Sequence, residues 1–206
     1  MLKLFYTPGT CSLASHIALE EAGAAYEVHR VDFSKAEQTK PDYLSINPKG
    51  RVPALVTDRG ILTETPAILA YIAQSFPKAR LAPLDDPFEF ARLQSFVSYL
   101  CSTVHVAHAH ARRAGRWADD PAAQEAMKAK VPQNMGDCFA LIERTMFAGP
   151  FVLGDSYSIA DPYLFTIASW LESDGVDPAR FPRILDHRNR MGERQAVAKV
   201  LAAVQA

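Results

Sequence analysis

A single cysteine, Cys11, stands in the stretch KLFYTPGTCSLASHIALEEAG, where a strand pattern gives way to a helix pattern. A thiol at a helix N-terminus feels the positive end of the macrodipole, and the free N–H groups there can receive its anion, so position favours the thiolate. The residue three places on is Ala14, which excludes a Cys-x-x-Cys dithiol exchanger. A lone activated thiol fits a partner that brings its own thiol. The alternative at this point is a buried, inert cysteine.

Three further stretches have residue types suited to ligand chemistry. In NPKGRVPALV, the Val52-Pro53 bond lies at the entry to a strand. A cis bond would turn the Val52 backbone outward to pair with an extended, peptide-like ligand, whereas a trans proline would only begin an edge strand. In LTETPAIL, Glu64 and Thr65 precede a helix. The helix start suits a carboxylate, the Thr65 hydroxyl adds a hydrogen bond, and the Glu64 carboxylate suits an ammonium, so the pair fits an α-amino acid end. The competing reading is an ordinary N-cap. In VHVAHAH, His105 and His108 share a helix face at i, i+3 and His110 points elsewhere. No Asp, Glu or Cys stands at a helpful helical spacing, so no metal is expected, and His105 is placed to face a cleft.

The elements that must position these residues divide the chain in two. Residues 1–76 mix strand and helix signals: a strand at Leu2 to Tyr6, a helix at Ser12 to Ala22 ending at Gly23, a strand at Tyr26 to Val31, a hairpin built from Val52 to Thr57 and Ile61-Leu62, and a helix from Thr65-Pro66. Residues 77–87 are proline-rich and read as a linker. Residues 88–206 carry helix signals alone: Phe88 to about Arg113, Pro121 to about Met146, Ser158 to Ser173, Phe181 to Met191 and Gln195 to Val204. Ser158 and Asp161 form a capping box before an apolar run.

The bulk properties remove several function classes. Of 206 residues, 49% are hydrophobic and 22% charged, and the net charge of −1 favours neither nucleic acid nor an anionic membrane as partner. No apolar run approaches the ~20 residues of a membrane span, and Pro8 and Gly9 break what would be a signal peptide. Three widely spaced cysteines argue against a disulfide framework and for a reducing cytoplasmic home.

YTPGTCSLASHIAL, INPKGRVPALV and LTETPAILAYIA, in that order, resemble the N-terminal domain of the cytosolic glutathione transferases, and GDSYSIADPYLF is similar to that family's helical-domain capping motif. The early Tyr-Thr-Pro-Gly-x-Cys-Ser and the later Val104-His105 point to the bacterial beta class. The resemblance implies an α/β thioredoxin-like N-terminal domain joined to an all-α C-terminal helical domain, usually as a homodimer, with glutathione as co-substrate and a small apolar electrophile as acceptor. It implies that Cys11 and His105 flank the glutathione sulfur. Val52, before a cis Pro53, would pair with the cysteinyl backbone, Glu64 and Thr65 would hold the γ-glutamyl end, and Lys35 would meet the glycine carboxylate. Tyr6 would lie near the site, and Tyr99 and Phe165 would belong to the apolar half of the cleft. Ser98 stands where the class has Asn, Val106 where it has Lys, and His108 and His110 have no family role. Thiol–disulfide activity through Cys11 is a second activity compatible with the motifs. A non-catalytic binding protein and a glutathione-dependent isomerase or dehalogenase are the alternatives on the same fold.

Overall fold

Strand β1 (Leu2–Tyr6) is apolar on both faces because both are covered. Leu4 and Tyr6 enter the main core, and Phe5 enters a smaller one with Val31, Tyr43, Val52 and Ala54. The computed structural model describes residues 1–205. From β1 the chain runs through helix α1 (Ser12–Glu21) to β2 (Tyr26–Arg30), which pairs parallel to β1 with Leu2 opposite Tyr26. A short helix, α2 (Pro41–Leu44), precedes β3 (Ala54–Thr57), β4 (Gly60–Thr63) and α3 (Thr65–Ser75). The sheet order is β2-β1-β3-β4, with β3 antiparallel to β1 and to β4. The third strand starts two residues later than the sequence pattern suggests, because Pro53 has no N–H for the ladder. Helix α2 is not foreseen; four residues opened by a proline carry too little periodicity to read.

The second half is helical: α4 (Pro87–Tyr99), α5 (His105–Arg113), α6 (Pro121–Leu141), α7 (Ala160–Ala168), α8 (Pro182–Glu193) and α9 (Gln195–Gln205). Asp86 and Asp120 cap α4 and α6 by accepting N–H groups of their first turns, and Pro87 and Pro121 supply the fixed φ that opens each. One continuous helix from Phe88 to Arg113 was the expectation. Instead Leu100–Val104 form a π-helical turn between α4 and α5, so the residues after it are rotated relative to those before it. The helix expected over Ser158 to Ser173 is ordered as α7 only, and the chain then turns through Glu172–Asp174 and Gly175 at φ +75°. The Asp161 carboxylate, fully buried, accepts the Ser158 N–H at 2.7 Å and the Val152 N–H at 2.8 Å and meets His187 Nε2 at 3.1 Å. Ser158 Oγ accepts the Ala160 N–H at 3.3 Å, so the capping box closes one residue earlier than its usual pattern. Among the described residues no helix is long and apolar enough to cross a membrane.

One core serves both halves. Leu4, Ile68, Leu69 and Ile72 from the sheet half pack with Leu93, Leu100, Val104 and Leu164 from the helical half. Helix α1 is buried on every side: Ala14 and Leu19 lie in this core, while Ile17 packs with Phe165, Met191, Val197 and Val200. His16 sits within that packing, 3% exposed, with its ring centroid 5.5 Å from that of Tyr6 and 5.6 Å from that of Tyr26. Burial lowers its pKa to about 4, only partly opposed by Glu20. The unfolded chain therefore takes up a proton near pH 6.5 that the folded protein refuses until about pH 4, and stability falls as pH drops through that window. The contribution to the slope is at most about 1.4 kcal/mol per pH unit. His16→Leu should flatten the fall of the urea midpoint between neutral pH and pH about 4.5; an unchanged slope would sink this assignment.

Candidate active site

The loop between β1 and α1 is built by short hydroxyl side chains. Thr7 Oγ1 donates to the Val31 carbonyl at 2.7 Å, Thr10 Oγ1 donates to the Thr7 carbonyl at 2.8 Å, and Ser12 Oγ accepts the Thr7 N–H at 3.2 Å. This pins Cys11 as the residue that opens α1, 8% exposed. The N–H groups of Leu13 and Ala14 bond to the carbonyls of Thr10 and Cys11, and that of Ser12 reaches the Thr10 hydroxyl. The first turn of α1 thus satisfies the N–H groups of Ser12, Leu13 and Ala14, which leaves the Cys11 N–H among the described residues to meet a thiolate. Burial, with partial opposition from the Thr65 hydroxyl, pushes the Cys11 thiol up to about 11. Desolvation outweighs the helix dipole, and Cys11 is a neutral S–H that donates to the Val52 carbonyl at 3.6 Å. The Cys11 N–H itself has no acceptor on another residue among those described.

Val52 lies across from this thiol. The Arg51 carbonyl before it accepts from Tyr43 Oη at 2.6 Å and Asn47 Nδ2 at 2.5 Å, which holds the turn, and the following peptide is cis. The Val52 N–H has no protein acceptor among the described residues and so is available for an extended ligand. Glu64 adopts φ +72°, a region disfavoured for any residue with a Cβ and typical of sites held by their surroundings. Its carboxylate pairs with Lys49, which also donates to Thr63 Oγ1 at 2.7 Å. Thr65 follows at the first position of α3, 4% exposed.

The facing wall comes from α5 and the end of α7. His105 is neutral, its pKa lowered to about 4 by burial and then by His108, Arg113, Arg116 and Arg51. His108 Nδ1 lies 2.8 Å from the Asp174 carboxylate, and its ring stacks on Trp170 at 4.1 Å and 23°. His110 instead packs edge-on against Trp117. The His105–His108 pairing on one helix face is as the spacing suggests. The partner of His108 comes from 66 residues away, a distance no helical pattern reveals. Among the described residues no group of three or more His, Cys, Asp or Glu could hold a metal ion.

Cys11, Val52, Pro53, Glu64, Thr65, His105 and His108 line one cavity of about 500 Å³. Lys35 does not: it is exposed and pairs with Asp32 at 3.4 Å, because the turn at Phe33–Lys35 points Phe33, not Lys35, into the cleft lining. Tyr6 lies in the core beneath, Phe165 packs with Ile17 and Met191, and Ser98 is exposed on α4, so none of them lines the cavity; nor does Tyr99. Sequence reasoning missed Arg51, Arg113, Arg116, Tyr163 and Trp170 as lining residues. The cationic tail of α5, HARRAGRW, was the one visible signal among them.

Residues 1–74 match the family model described as the glutathione S-transferase N-terminal domain, and residues 108–203 match that of the C-terminal domain. Glutathione S-transferase GstA of Escherichia coli O157:H7 is 33% identical over 205 residues, covering 98% of each chain. A crystal structure of a glutathione transferase homologue from Sulfitobacter with bound glutathione is 51% identical, with a TM-score of 0.96 and 98% of each chain covered. The bacterial beta class glutathione S-transferase of Sphingomonas chungbukensis is 36% identical, with a TM-score of 0.86 and 98% of each chain covered.

A thiol with a pKa of about 11 is nearly unreactive at neutral pH. Alkylation by iodoacetamide, located by peptide mass spectrometry, should leave Cys11 unmodified at pH about 7 and begin to modify it only as pH rises toward that value. Rapid neutral-pH modification of Cys11 would contradict the assignment.

Proposed function

The chain belongs to the glutathione S-transferase family, and on that premise we propose that its cleft binds glutathione along the sheet-side wall, an electrophile along the helical wall, and joins the two through sulfur. The observation that carries this reading is the convergence of Cys11, the cis Val52-Pro53 pair, Glu64, Thr65 and His105 on one cavity. The free Val52 N–H pairs with the cysteinyl carbonyl of glutathione by strand addition. The Glu64 carboxylate meets the γ-glutamyl ammonium, sharing with Lys49, while Thr65 and the N-terminal end of α3 receive the γ-glutamyl carboxylate. For the glycine carboxylate, Arg51 lines the cleft without an ion-pair partner among the described residues and is better placed than Lys35.

The glutathione sulfur then lies by Cys11. A neutral Cys11 S–H and the Cys11 N–H are donors, and donors aimed at a developing thiolate stabilise it. Neutral His105 adds one ring N–H and no charge of its own. The glutathione thiol gives up its proton to solvent; the thiolate then attacks the electrophilic carbon and the sulfur–carbon bond forms, while the leaving group departs with its bonding electrons or, in an addition, the electrons displaced onto the acceptor take up a proton. Holding a charged tripeptide and an acceptor side by side supplies proximity. The raised Cys11 pKa keeps its thiol protonated at neutral pH, which favours conjugation over thiol–disulfide exchange.

The same reading extends to organisation. We take residues 1–76 as the glutathione-binding domain, 77–87 as linker and 88–206 as the helical domain. Support comes from α3 ending at Ser75 and α4 starting at Pro87. A cytoplasmic setting fits three free cysteines. A homodimer fits the exposed Ile61 on outer strand β4 and Phe88 at the start of α4, which are 43% and 70% exposed.

Reduced glutathione should bind in calorimetric titration with saturation near one per subunit; no binding at millimolar concentration would overturn the proposal. Thr65→Val should weaken that binding by roughly 1–3 kcal/mol, and unchanged affinity would remove Thr65 from the γ-glutamyl site. Cys11→Ala should retain measurable conjugation of 1-chloro-2,4-dinitrobenzene, because the N–H donor remains; complete loss with glutathione binding intact would make the side chain indispensable.

A further inference from the structure

Four arginines elsewhere in this protein pair with carboxylates: Arg92 with Glu89, Arg188 with Glu172, Arg190 with Asp186 and Arg194 with Glu21. The arginines that end α5 and follow it do not. Arg112, Arg113 and Arg116 all line the outer half of the cleft, and among the described residues none is in an ion pair. The one carboxylate lining the same cavity, that of Glu64, is taken by Lys49. Burial, and then the neighbouring Arg113 and Arg51, lower the pKa of Arg116, and burial, followed by His108 and these arginines, lowers that of His105. Arg112, Arg113 and Arg116 are exposed, so solvent screens their mutual repulsion, but they still gather positive charge on one wall where an anion would be met.

Favourable interaction with the C-terminal end of the α5 dipole explains cations in its last turn. It does not explain why they face a cavity, nor Arg116, which lies beyond the helix. Glutathione itself brings one glycine carboxylate, for which Arg51 suffices. The α5 arginines are surplus to it. The surfaces next to them are flat and aromatic. Trp170 is fixed by the stacked His108, itself held by Asp174, Trp117 lies at the mouth, 44% exposed, and Phe33 faces the Arg113 guanidinium at 5.8 Å.

Resting on the glutathione reading of this cleft, we propose that its second substrate is a planar aromatic or conjugated acid, with its ring among Trp117, Phe33 and the accessible edge of the otherwise buried Trp170, and its carboxylate held by Arg113 and Arg116. Where the resemblance implies a small apolar electrophile, the proposal makes it amphipathic: flat at the reacting end, anionic at the far end. Guanidinium recognises carboxylate by paired, charge-assisted hydrogen bonds, and a cleft with no competing free carboxylate concentrates that preference.

The chain's two tryptophans, Trp117 and Trp170, both line this cleft, so intrinsic fluorescence reports on its occupancy. Quenching by the unreactive probe 3,5-dinitrobenzoate is compared with quenching by its methyl ester, which has the same ring and no charge. The acid should bind at least about tenfold more tightly than the ester, with the difference shrinking as salt is raised toward about 0.5 M. The double variant Arg113→Met/Arg116→Met should lose most of that difference, and Arg116→Met alone should lose part of it if the double variant fails to fold. Equal affinity for acid and ester in the unmodified protein overturns the proposal, as does a preference that survives the arginine substitutions. Tight acid binding in a protein that fails to bind glutathione would instead overturn the conjugation reading and leave the anion site standing.

Discussion

Helix α1 is packed from two sides at once, and the rest of the molecule depends on that. Toward its own half it contributes Ala14, Ala18 and Leu19 to the core shared with β1 and α3. Toward the helical half, Ile17 packs against Phe165 on α7 and Val197 and Val200 on α9. Burying a side chain such as Ile17 or Leu19 is worth roughly 1.5–3 kcal/mol each, and here the burial is completed only by residues from far along the chain. At the solvent edge, Glu21 takes a two-point contact from Arg194 and Glu20 pairs with Lys199, fixing the rotation of the helix against the C-terminal segment. Because α1 cannot turn or slide, Cys11 at its start is held on the floor of the cleft.

That location sets the electrostatics of the site. A thiol exposed at a helix end would be acidic; the same thiol, covered by Val52, Thr65 and the helical half, is less acidic than ordinary cysteine. His105 follows the same logic in the opposite sense and stays uncharged. Cys11 and His105, the cleft residues proposed to flank the glutathione sulfur, are therefore neutral, and arginines line the same cavity. Such a division suits a site that must stabilise an incoming thiolate without presenting a competing one of its own.

The helical wall is one helical stripe: Cys101, His105, His108 and Arg112, spaced i, i+4, i+7 and i+11, line the cleft, while Leu100 and Val104, also i, i+4, are buried in the core. The π-helical turn at Leu100–Val104 lies within this stretch. Asp161 performs the complementary task behind α7, gathering two backbone N–H groups and His187 so that the segment before the helix is fixed. The buried carboxyl group is tolerated because its oxygens are met by these partners.

Local chemistry was readable from the sequence wherever neighbours in the chain are also neighbours in space. The strand-helix-strand start, the β3–β4 hairpin around Asp58-Arg59-Gly60, the Ser158–Asp161 cap and the Glu64-Thr65 step into α3 all belong to this group. Motif order then placed Cys11, Val52, Pro53, Glu64, Thr65 and His105, which the tertiary structure brings to one cavity. Lys35 was misplaced because the orientation of a side chain in an irregular turn has no sequence period. What only the folded chain decided are quantities set by burial and by distant partners. These are the neutrality of Cys11 against its helix dipole, the Asp174 carboxylate that holds His108, and the joining of Trp170 to the arginines of α5 along one wall. Desolvation and long-range pairing depend on what covers a group, and a one-dimensional pattern does not record that.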